Sequence, residues 1–352
     1  MSEWSGVGRY TKGLASALAR RDDIALTLVT AADAPFAPAA SANSVATVPA
    51  AASPFSIAGA RELGAAIAKV APDISHCPHF PTPWPAPHPL AVSLQDLTPL
   101  LVPGVMPSAF KRGVYRALNE RATRLADVLI LPSESTARDI LSAFPRAAGK
   151  VRVVLDAADD FSAERVGEIP AGLVGEGYRY VFSMGNTKPH KDLPALFSAF
   201  AGLAAAEPGL RLILAGTGDD AYLDAHVPAA CRDRVRFTGR IDDDQLRALY
   251  AGAALFAFPS RYEGFGLPPL EAMSFGTPVV SSDGGSLPEV VGDAALVVPV
   301  GDAAALEGAM REVLGDPARA AELAEAGRAR AATFTWDKTA AETIAAYRSA
   351  MR

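Results

Sequence analysis

Cysteine is nearly absent from this chain: only Cys77 and Cys231 occur among its 352 residues. Their separation fits neither a disulfide framework nor the ligand spacing of a zinc site. No apolar run is long enough to span a membrane, and residues 1–6 lack the basic start and apolar core of a signal peptide. We therefore expect buried thiols in a reduced, cytoplasmic protein that is soluble or lies on a membrane surface.

A large excess of positive charge is also lacking. The formal net charge is −6, a fifth of the residues are charged and half are hydrophobic, as in ordinary globular proteins. This balance argues against broad nucleic-acid binding.

Patterns that would hold a metal are sparse as well. His76, His79 and His88 lie in or beside a proline-rich stretch that keeps them off a common helix face, so we predict a rigid loop bordering a cleft. Asp242 and Asp244 have an Asp-x-Asp spacing that can hold a metal with a sugar nucleotide. We prefer to interpret them as the start of a helix, where capping and the helix dipole favour acids. No metal site is predicted.

Apolar runs alternate with helical patterns, which is typical of parallel sheets covered by helices. The length suggests two domains, and the mixture of acids, glycines and proline at 156–177 suggests a linker. We predict domains at 1–165 and 166–332, with a surface excursion at 31–55. The predicted strands are 24–30, 90–94, 128–131, 151–155, 178–184, 210–215, 235–238, 255–258, 278–281 and 295–299.

The most informative stretch is SRYEGFGLPPLEAM at residues 260–273, which follows an apolar strand and opens a helix. Its two glycines and the prolines at the helix start allow backbone N–H groups and the positive helix end to face an anion. Glu263 and Glu271 flank this loop with seven residues between them. Two carboxylates would repel a bare phosphate, so the ligand should also offer hydroxyls. A sugar joined to a diphosphate meets that demand.

Other strands of the second half also end in glycine, at the sheet edge where open α/β sheets bind ligands. Lys191 is placed to neutralise a diphosphate, with Lys188 and His190 as weaker candidates. The alternative is that all three are ordinary polar loop residues. Gly216 could border the ligand, and residues 239–241 could flank a nucleotide base.

The first half offers fewer candidates. Gln95 ends an apolar strand and could reach a hydroxyl, whereas we expect Asp96 to hold a local turn. Gly8 belongs to a Gly-x-Gly pair that leads into a helix predicted at 11–20; a plain turn is an equal alternative. Residues 106–127 form a basic helical stretch, which is either a solvated face or a contact with anionic lipid or an acidic acceptor.

Together these residues resemble the retaining glycosyltransferases of family 4, the glycosyl transferases group 1, over nearly the whole chain. The likeness is strongest at 178–302 and is carried by 259–273, by GTPVV at 276–280, by LPEV at 287–290 and by SGVGRY at 5–10. It implies an α/β fold of the GT-B type, in which the parallel sheets of two Rossmann-like domains face each other across a cleft. Residues 333–352 would form a helix that crosses back to the first domain.

The resemblance also implies a nucleotide-sugar donor held mainly by the second domain, with no cofactor or essential metal. By that likeness Glu263 binds donor-sugar hydroxyls, Glu271 the ribose and Lys191 the diphosphate, while the acceptor enters from the first domain. The catalytic candidates are Glu263, Lys191 and Gln95. The predicted donor-binding residues are Glu271, Gly264, Phe265, Gly266, Leu267, Gly8, Gly185, Asn186, His190, Gly216, Arg240 and Ile241.

Two departures from the family pattern stand out. Gln95 occupies a position where relatives commonly have histidine, so either Gln95 substitutes by hydrogen bonding or turnover is lower. Relatives also have a buried strand before the first glycine loop, and residues 1–4 do not have a strand pattern. The sheet would then be completed differently, or the start is truncated.

The sequence therefore predicts a retaining hexosyltransferase of surface polysaccharide synthesis that uses a glycan or lipid-linked acceptor. Residues 185–193 and the glutamate loop resemble bacterial mannosyltransferases, which favours GDP-mannose as the donor, with UDP-glucose as the alternative. Two other functions stay open. An epimerase or hydrolase on the same fold would consume donor without acceptor, and a non-catalytic sensor would bind donor without turnover.

Overall fold

The computed structural model describes residues 6–31, 45–158, 166–175 and 177–351, and the chain divides into two compact units. Unit 1 consists of Met1–Leu97, Ser108–Ala157 and Phe334–Arg352, and unit 2 of Thr98–Pro107 and Ala158–Thr333. The end of the chain therefore belongs to the same unit as its beginning.

The elements follow one another as alternating strands and helices. Those of the first half are α1 (Gly6–Ala19), β1 (Thr27–Ala31), β2 (Ala46–Ala50), α2 (Ile57–Val70), β3 (Ser75–Cys77), β4 (Leu90–Ser93), α3 (Thr98–Leu101), α4 (Ala109–Leu125), β5 (Val128–Leu131), α5 (Glu134–Ala143) and β6 (Val151–Val153). Those of the second half are β7 (Tyr180–Met184), α6 (Leu193–Ala206), β8 (Arg211–Ala215), α7 (Asp220–His226), β9 (Val235–Phe237), α8 (Asp243–Gly252), β10 (Leu255–Phe258), α9 (Leu267–Ser274), β11 (Val279–Ser282), α10 (Leu287–Val291), β12 (Leu296–Val298), α11 (Ala303–Gly315), α12 (Pro317–Ala331) and α13 (Trp336–Ala350). Within the described ranges, no helix is both long and apolar enough to cross a bilayer.

The strands of unit 1 form a two-stranded parallel sheet, β1-β2, and a four-stranded parallel sheet in the order β3-β4-β5-β6. β4 and β5 are buried along their whole length, as expected for strands covered on both faces. Ala346 of α13 packs in the same core as Ala91 and Ile130 of these strands. The ring of Trp336 lies where a Cβ on Gly13 would stand, so α1 and α13 approach closely only because residue 13 is glycine.

A row of hydrogen-bonded polar side chains ties the sheet of unit 1 to these two helices. Ser93 Oγ lies 2.7 Å from the hydroxyl of Tyr10 and 2.7 Å from Nε2 of His76. Nδ1 of His76 lies 2.6 Å from the hydroxyl of Tyr347. Burial lowers the pKa of His76 to about 4, so the imidazole is neutral near pH 7. Asp156, whose charge acts on Tyr10, is buried, and burial raises its pKa to about 8.

Unit 2 contains a six-stranded parallel sheet in the order β9-β8-β7-β10-β11-β12. Counted along the chain this is the 3-2-1-4-5-6 order of a Rossmann fold, and the order reverses between β7 and β10. The aromatic residues Phe197 and Phe200 of α6 fill the core on one face of the sheet. The loops that follow β7 and β10 therefore leave the sheet at neighbouring carboxyl ends, where such folds bind ligands.

Several local predictions are corrected by the structure. β2 lies within the predicted excursion at 31–55, of which 32–44 fall outside the described residues. Among the described residues β2 pairs only with β1, so Pro49 is tolerated at a sheet edge. β3 has only three residues, too few to give a periodic signal. The helix α1 begins at Gly6, so Gly8 lies within its first turn and not in a loop before it.

The predicted start of one helix is confirmed. Asp242 caps α8 in a capping box with Gln245, as the preferred interpretation of the aspartate run required. Residues 1–4, for which the sequence predicts no strand, lie outside the described residues.

Candidate functional site

The candidate site of unit 2 is built by the two loops at the reversal of strand order. The loop after β7 runs through Gly185 and Asn186 to a short turn at Pro189–Lys191, and α6 follows. The loop after β10 runs from Ser260 to Gly266 and leads into α9. Both predicted catalytic side chains of this unit, Lys191 and Glu263, belong to these loops.

Lys191 and Glu263 form a direct ion pair. Nζ of Lys191 lies 2.7 Å from Oε1 of Glu263, and the two side chains are only 15% and 17% exposed. The ammonium group also lies 4.9 Å from the centre of the Phe258 ring. The sequence predicted that these residues serve one ligand, and the structure brings them into contact. A ligand that uses both must therefore share or open this pair.

Backbone and charge contacts join the two loops beside this pair. The N–H of Arg261 donates to the carbonyl oxygen of His190 at 2.7 Å, and the Arg261 guanidinium pairs with Asp192 at 3.0 Å. Burial, reinforced by the neighbouring charge of Lys191, lowers the pKa of His190 to about 4. The His190 imidazole is therefore neutral near pH 7 and can offer a hydrogen bond but not a charge.

Contacts with Ser286 and Leu287 fix the glycine loop at 264–267. Gly266 has φ = 113°, a conformation that favours glycine, and a Cβ there would lie 2.7 Å from Leu287. The hydroxyl of Ser286 donates to the carbonyl oxygens of Glu263 and Phe265. The loop between Glu263 and the start of α9 is thus held in place by these contacts.

Glu271 lies on the buried side of α9. Its carboxylate accepts a hydrogen bond of 2.8 Å from the hydroxyl of Tyr250 in α8. The Tyr250 ring is held by Phe182, Phe256 and Phe275 at centroid distances of 5.1, 5.4 and 6.0 Å. Sequence reasoning missed Tyr250; the available signal was a tyrosine on the buried face of a helix, whose hydroxyl needs a partner.

The ends of β7, β8 and β9 are joined next to these loops. The N–H of Gly185 donates to Ala215 at 3.0 Å, and Gly216 forms an isolated bridge with Gly239. A Cβ on Gly216, which has φ = 145°, would lie 2.1 Å from the carbonyl oxygen of Gly185. Gly185 and Gly216 therefore lie together, and their predicted role beside the ligand stays a prediction. Beyond Gly239, Arg240 is exposed and Ile241 is buried.

Gln95 and Gly8 belong to unit 1. Gln95 follows β4, and its carbonyl oxygen accepts a 3.4 Å hydrogen bond from the hydroxyl of Thr136. The next carbonyl, that of Asp96, accepts from Tyr115 at 3.2 Å, and the Tyr115 ring packs on Phe80. The turn that carries Gln95 is thus fixed through its backbone.

No cluster of three or more histidine, cysteine, aspartate or glutamate side chains suited to a metal occurs in the described part of the chain. The two ring nitrogens of His76 contact Tyr347 and Ser93, and His88 pairs with Asp127 at 2.8 Å. These histidines are used for structural contacts.

The two units have the parallel α/β architecture of the GT-B class, with a lysine, two acids and a helix start near the reversal point of the unit 2 sheet. The model of the glycosyl transferases group 1 matches residues 168–330, and that of the glycosyl transferase 4-like domain matches residues 5–156. Between them the two models span most of the sequence, and the chain belongs to the glycosyl transferases group 1.

Relatives with assigned names match part of the chain. O-antigen chain mannosyltransferase B of Escherichia coli is 40% identical over 174 residues, covering 48% of this chain and 45% of that protein. Glycogen synthase of Mycobacterium tuberculosis is 34% identical over 260 residues, covering 71% and 60%. The chain thus spans about half the length of the curated relatives it matches.

The fold is shared with solved structures. Sucrose-phosphate synthase from Thermosynechococcus elongatus superposes with a TM-score of 0.77 at 23% identity, covering 98% of this chain and 93% of that one. At this identity the likeness concerns the fold alone, two Rossmann-like domains with parallel sheets.

Proposed function

We propose that this protein is a retaining hexosyltransferase that moves a sugar from a nucleotide sugar to a glycan or lipid-linked acceptor. The observation that carries the proposal is the Lys191–Glu263 pair at the reversal of the unit 2 sheet. A lysine suits a diphosphate and an acid suits sugar hydroxyls, and a sugar nucleotide presents both groups side by side. Glu271, one helix turn or more beyond the glycine loop, would take the ribose hydroxyls.

The chemistry asks the chain for positioning and charge stabilisation rather than a nucleophile. As the bond between the sugar C1 and the diphosphate oxygen breaks, the acceptor oxygen bonds to C1 from the same face. The acceptor proton passes to a departing phosphate oxygen. Lys191 and the start of α9 would stabilise the diphosphate charge, and Gln95 would hydrogen-bond the sugar or acceptor. No cofactor or metal enters this scheme.

The proposed donor is GDP-mannose and the proposed product a surface polysaccharide. The named mannosyltransferase relative, which acts on O-antigen chains, supports this choice. UDP-glucose is the alternative donor, and the relative named glycogen synthase supports glucose as the alternative sugar. The base would lie near Gly239, Arg240 and Ile241.

A membrane contact through residues 106–127 is part of the proposal and would place the protein at the inner face of the cytoplasmic membrane. On α4, Phe110 is 80% exposed, and Val114, one turn later, is also exposed. Lys111 and Arg116 lie exposed on the same first turns of this helix. Exposed apolar side chains beside basic ones are the combination that holds helices on anionic lipid.

The proposal is tested with a thermal-shift panel of GDP-, UDP- and ADP-sugars, followed by product analysis with the preferred donor. A transferase consumes that donor only with an acceptor and yields a glycoside. Consumption without acceptor would support the epimerase or hydrolase, and stabilisation without turnover across a broad acceptor panel would support the sensor. Because stabilisation follows affinity, absence of any shift at high donor concentration would contradict all three.

A further inference from the structure

Asp192 has an unusual backbone for a residue with a side chain. Its φ and ψ are 47° and 40°, the left-handed region, and it stands at the N-terminal cap of α6. Aspartate tolerates this conformation better than most residues, but it is still unfavourable without support. Although Asp192 occupies the capping position, its side chain makes no capping hydrogen bond with the helix backbone. The carboxylate of Asp192 therefore has a role other than helix capping.

Asp192 forms an ion pair with Arg261 of the loop that follows β10. Nη2 of Arg261 donates to Oδ1 of Asp192 at 3.1 Å and lies 3.0 Å from Oδ2. The Asp192 side chain is 6% exposed, so its charge is balanced mainly by this guanidinium. Aspartate at this position is thus explained by Arg261 and not by capping.

A backbone hydrogen bond also joins the same two loops, next to this ion pair in the sequence. The N–H of Arg261 donates to the carbonyl oxygen of His190 at 2.7 Å. Arg261 therefore contacts the residues immediately before and after Lys191. Glu263, the partner of Lys191, follows Arg261 by two residues. The two contacts fix the separation of the loops at the point where Lys191 and Glu263 meet.

We propose that Asp192 and Arg261 are a positioning pair that aligns Lys191 with Glu263, and through them the diphosphate with the sugar. The proposal rests on the proposed function for its catalytic consequence, but the alignment itself is a property of the protein without ligand. Neither residue needs to touch the donor. Small errors in alignment are expensive in such sites, because a displacement of about 1 Å can cost on the order of a hundredfold in rate.

The test compares Arg261→Gln, Asp192→Asn and the double variant with the wild type. Asparagine keeps the tolerance for the left-handed backbone while removing the charge. We expect each single variant to lower kcat about tenfold or more, and the double variant to be no worse than the singles, because one pair is lost in each case. Arg261→Lys should recover part of the activity. The matched control is Arg232→Gln, which breaks an exposed ion pair with Asp224 in the same unit and should leave kcat unchanged.

A readout independent of turnover accompanies the kinetics: the rate at which acetic anhydride acetylates Lys191, followed by peptide mass spectrometry. Lys191 should react slowly in the wild type, since it is largely buried and paired with Glu263, and severalfold faster in Arg261→Gln and Asp192→Asn. An unchanged acetylation rate overturns the proposal, whatever the activity.

The remaining outcomes are also decisive. Loss of activity in Arg261→Gln with full activity in Asp192→Asn would mean that Arg261 acts on the donor directly, against the proposal. A wild type that consumes no nucleotide sugar, but whose Lys191 is exposed by these substitutions, would refute the proposed function and leave the positioning pair standing. A fall in both melting temperature and kcat that is equal in the Arg232→Gln control would attribute the effect to general stability, against the proposal.

Discussion

The hydroxyl of Tyr250 donates a hydrogen bond to Oε2 of Glu271 at 2.8 Å, and both side chains are buried. Tyr250→Phe keeps the ring in its aromatic cage and removes only the donor. We expect the free energy of unfolding to fall by about 1–3 kcal/mol, since a buried acceptor loses a partner. The affinity for nucleoside diphosphates should fall as well, because Glu271 is less well oriented.

Denaturant unfolding and calorimetric titration with GDP and UDP would measure the two effects. Tyr178→Phe is the matched control, because that tyrosine is exposed in the same unit. If Tyr250→Phe destabilises the protein but binds nucleotides as the wild type does, Tyr250 supports the fold and not the site.

The ion pair of Glu263 with Lys191 gives a second prediction. Glu263→Gln keeps the size of the side chain and removes its charge, so the fold should persist. We expect transfer to fall on the order of a hundredfold or more, as when one preorganised group is removed from a transition state. Steady-state kinetics and circular dichroism would check activity and fold. Glu207→Gln, which alters an exposed pair with Arg179, is the control, and full activity in Glu263→Gln would refute the assigned role.

Gln95 in unit 1 permits a two-sided test. If its amide hydrogen-bonds the sugar or acceptor, Gln95→Ala should lower kcat roughly tenfold or more. The affinity for donor should change little, because the predicted main donor contacts lie in unit 2. Gln95→His restores the residue common in relatives and should equal or exceed the wild type. Activity that is the same in all three proteins would show that the side chain is not used.

Asp156 makes stability depend on pH. Burial raises its pKa to about 8 in the folded state, well above the ordinary value of 3.8, so the folded protein binds a proton that the unfolded chain releases. This contribution to stability is full at low pH and is lost as pH rises through the folded pKa. Asp156→Asn, which carries no charge at any pH, should therefore gain in Tm relative to the wild type between about pH 5 and about pH 8.

Calorimetry at the two pH values measures this gain. The exposed Asp73→Asn serves as the control, and its effect on Tm should be similar at both. His76 acts in the opposite direction, because its lowered pKa destabilises the fold as pH falls from its ordinary 6.5 toward 4. Comparison of Asp156→Asn with the wild type cancels that contribution. A gain that does not rise with pH would contradict the assignment.

The exposed start of α4 predicts lipid binding. Phe110→Ser should reduce sedimentation with vesicles that contain phosphatidylglycerol, and added salt should weaken binding of the wild type. Phe55→Ser is the control, since Phe55 is also an exposed phenylalanine of unit 1 but lies outside α4. Equal binding of wild type and Phe110→Ser, or equal binding to vesicles of phosphatidylcholine alone, would refute the anionic-lipid contact.

The sequence was sufficient where a signal is local and strong. β5 and β10 are uninterrupted apolar runs, and both were predicted with the boundaries they have. The meeting of Lys191 and Glu263 followed from a general rule, because neighbouring parallel strands end at the same sheet edge. Such rules place loops near one another without specifying which atoms touch.

The parts of the fold and of the candidate site that the sequence did not predict depend on contacts between residues far apart in the chain. Tyr250 and Glu271 are separated by 21 positions, and Asp192 and Arg261 by 69. An ordinary helix pattern surrounds Tyr250, and Asp192 looks like a simple helix cap, so neither pattern indicates the partner. β2 was missed because an edge strand with one partner needs little hydrophobicity. No local pattern contains the split of unit 1 between both ends of the chain, and only the family resemblance led us to expect it.

The packing of α13 into unit 1 has a consequence for how the protein is made. The core of unit 1 and the row that ends at Tyr347 are completed by Phe334–Arg352, whereas all of unit 2 precedes that segment. During translation, unit 2 can finish folding while unit 1 still waits for α13, the reverse of the usual N-terminal-first order. Until residues 336–350 emerge from the ribosome, α1 and β5 lack the cover that α13 gives them. That interval is when the nascent chain would be most exposed to chaperones and to aggregation.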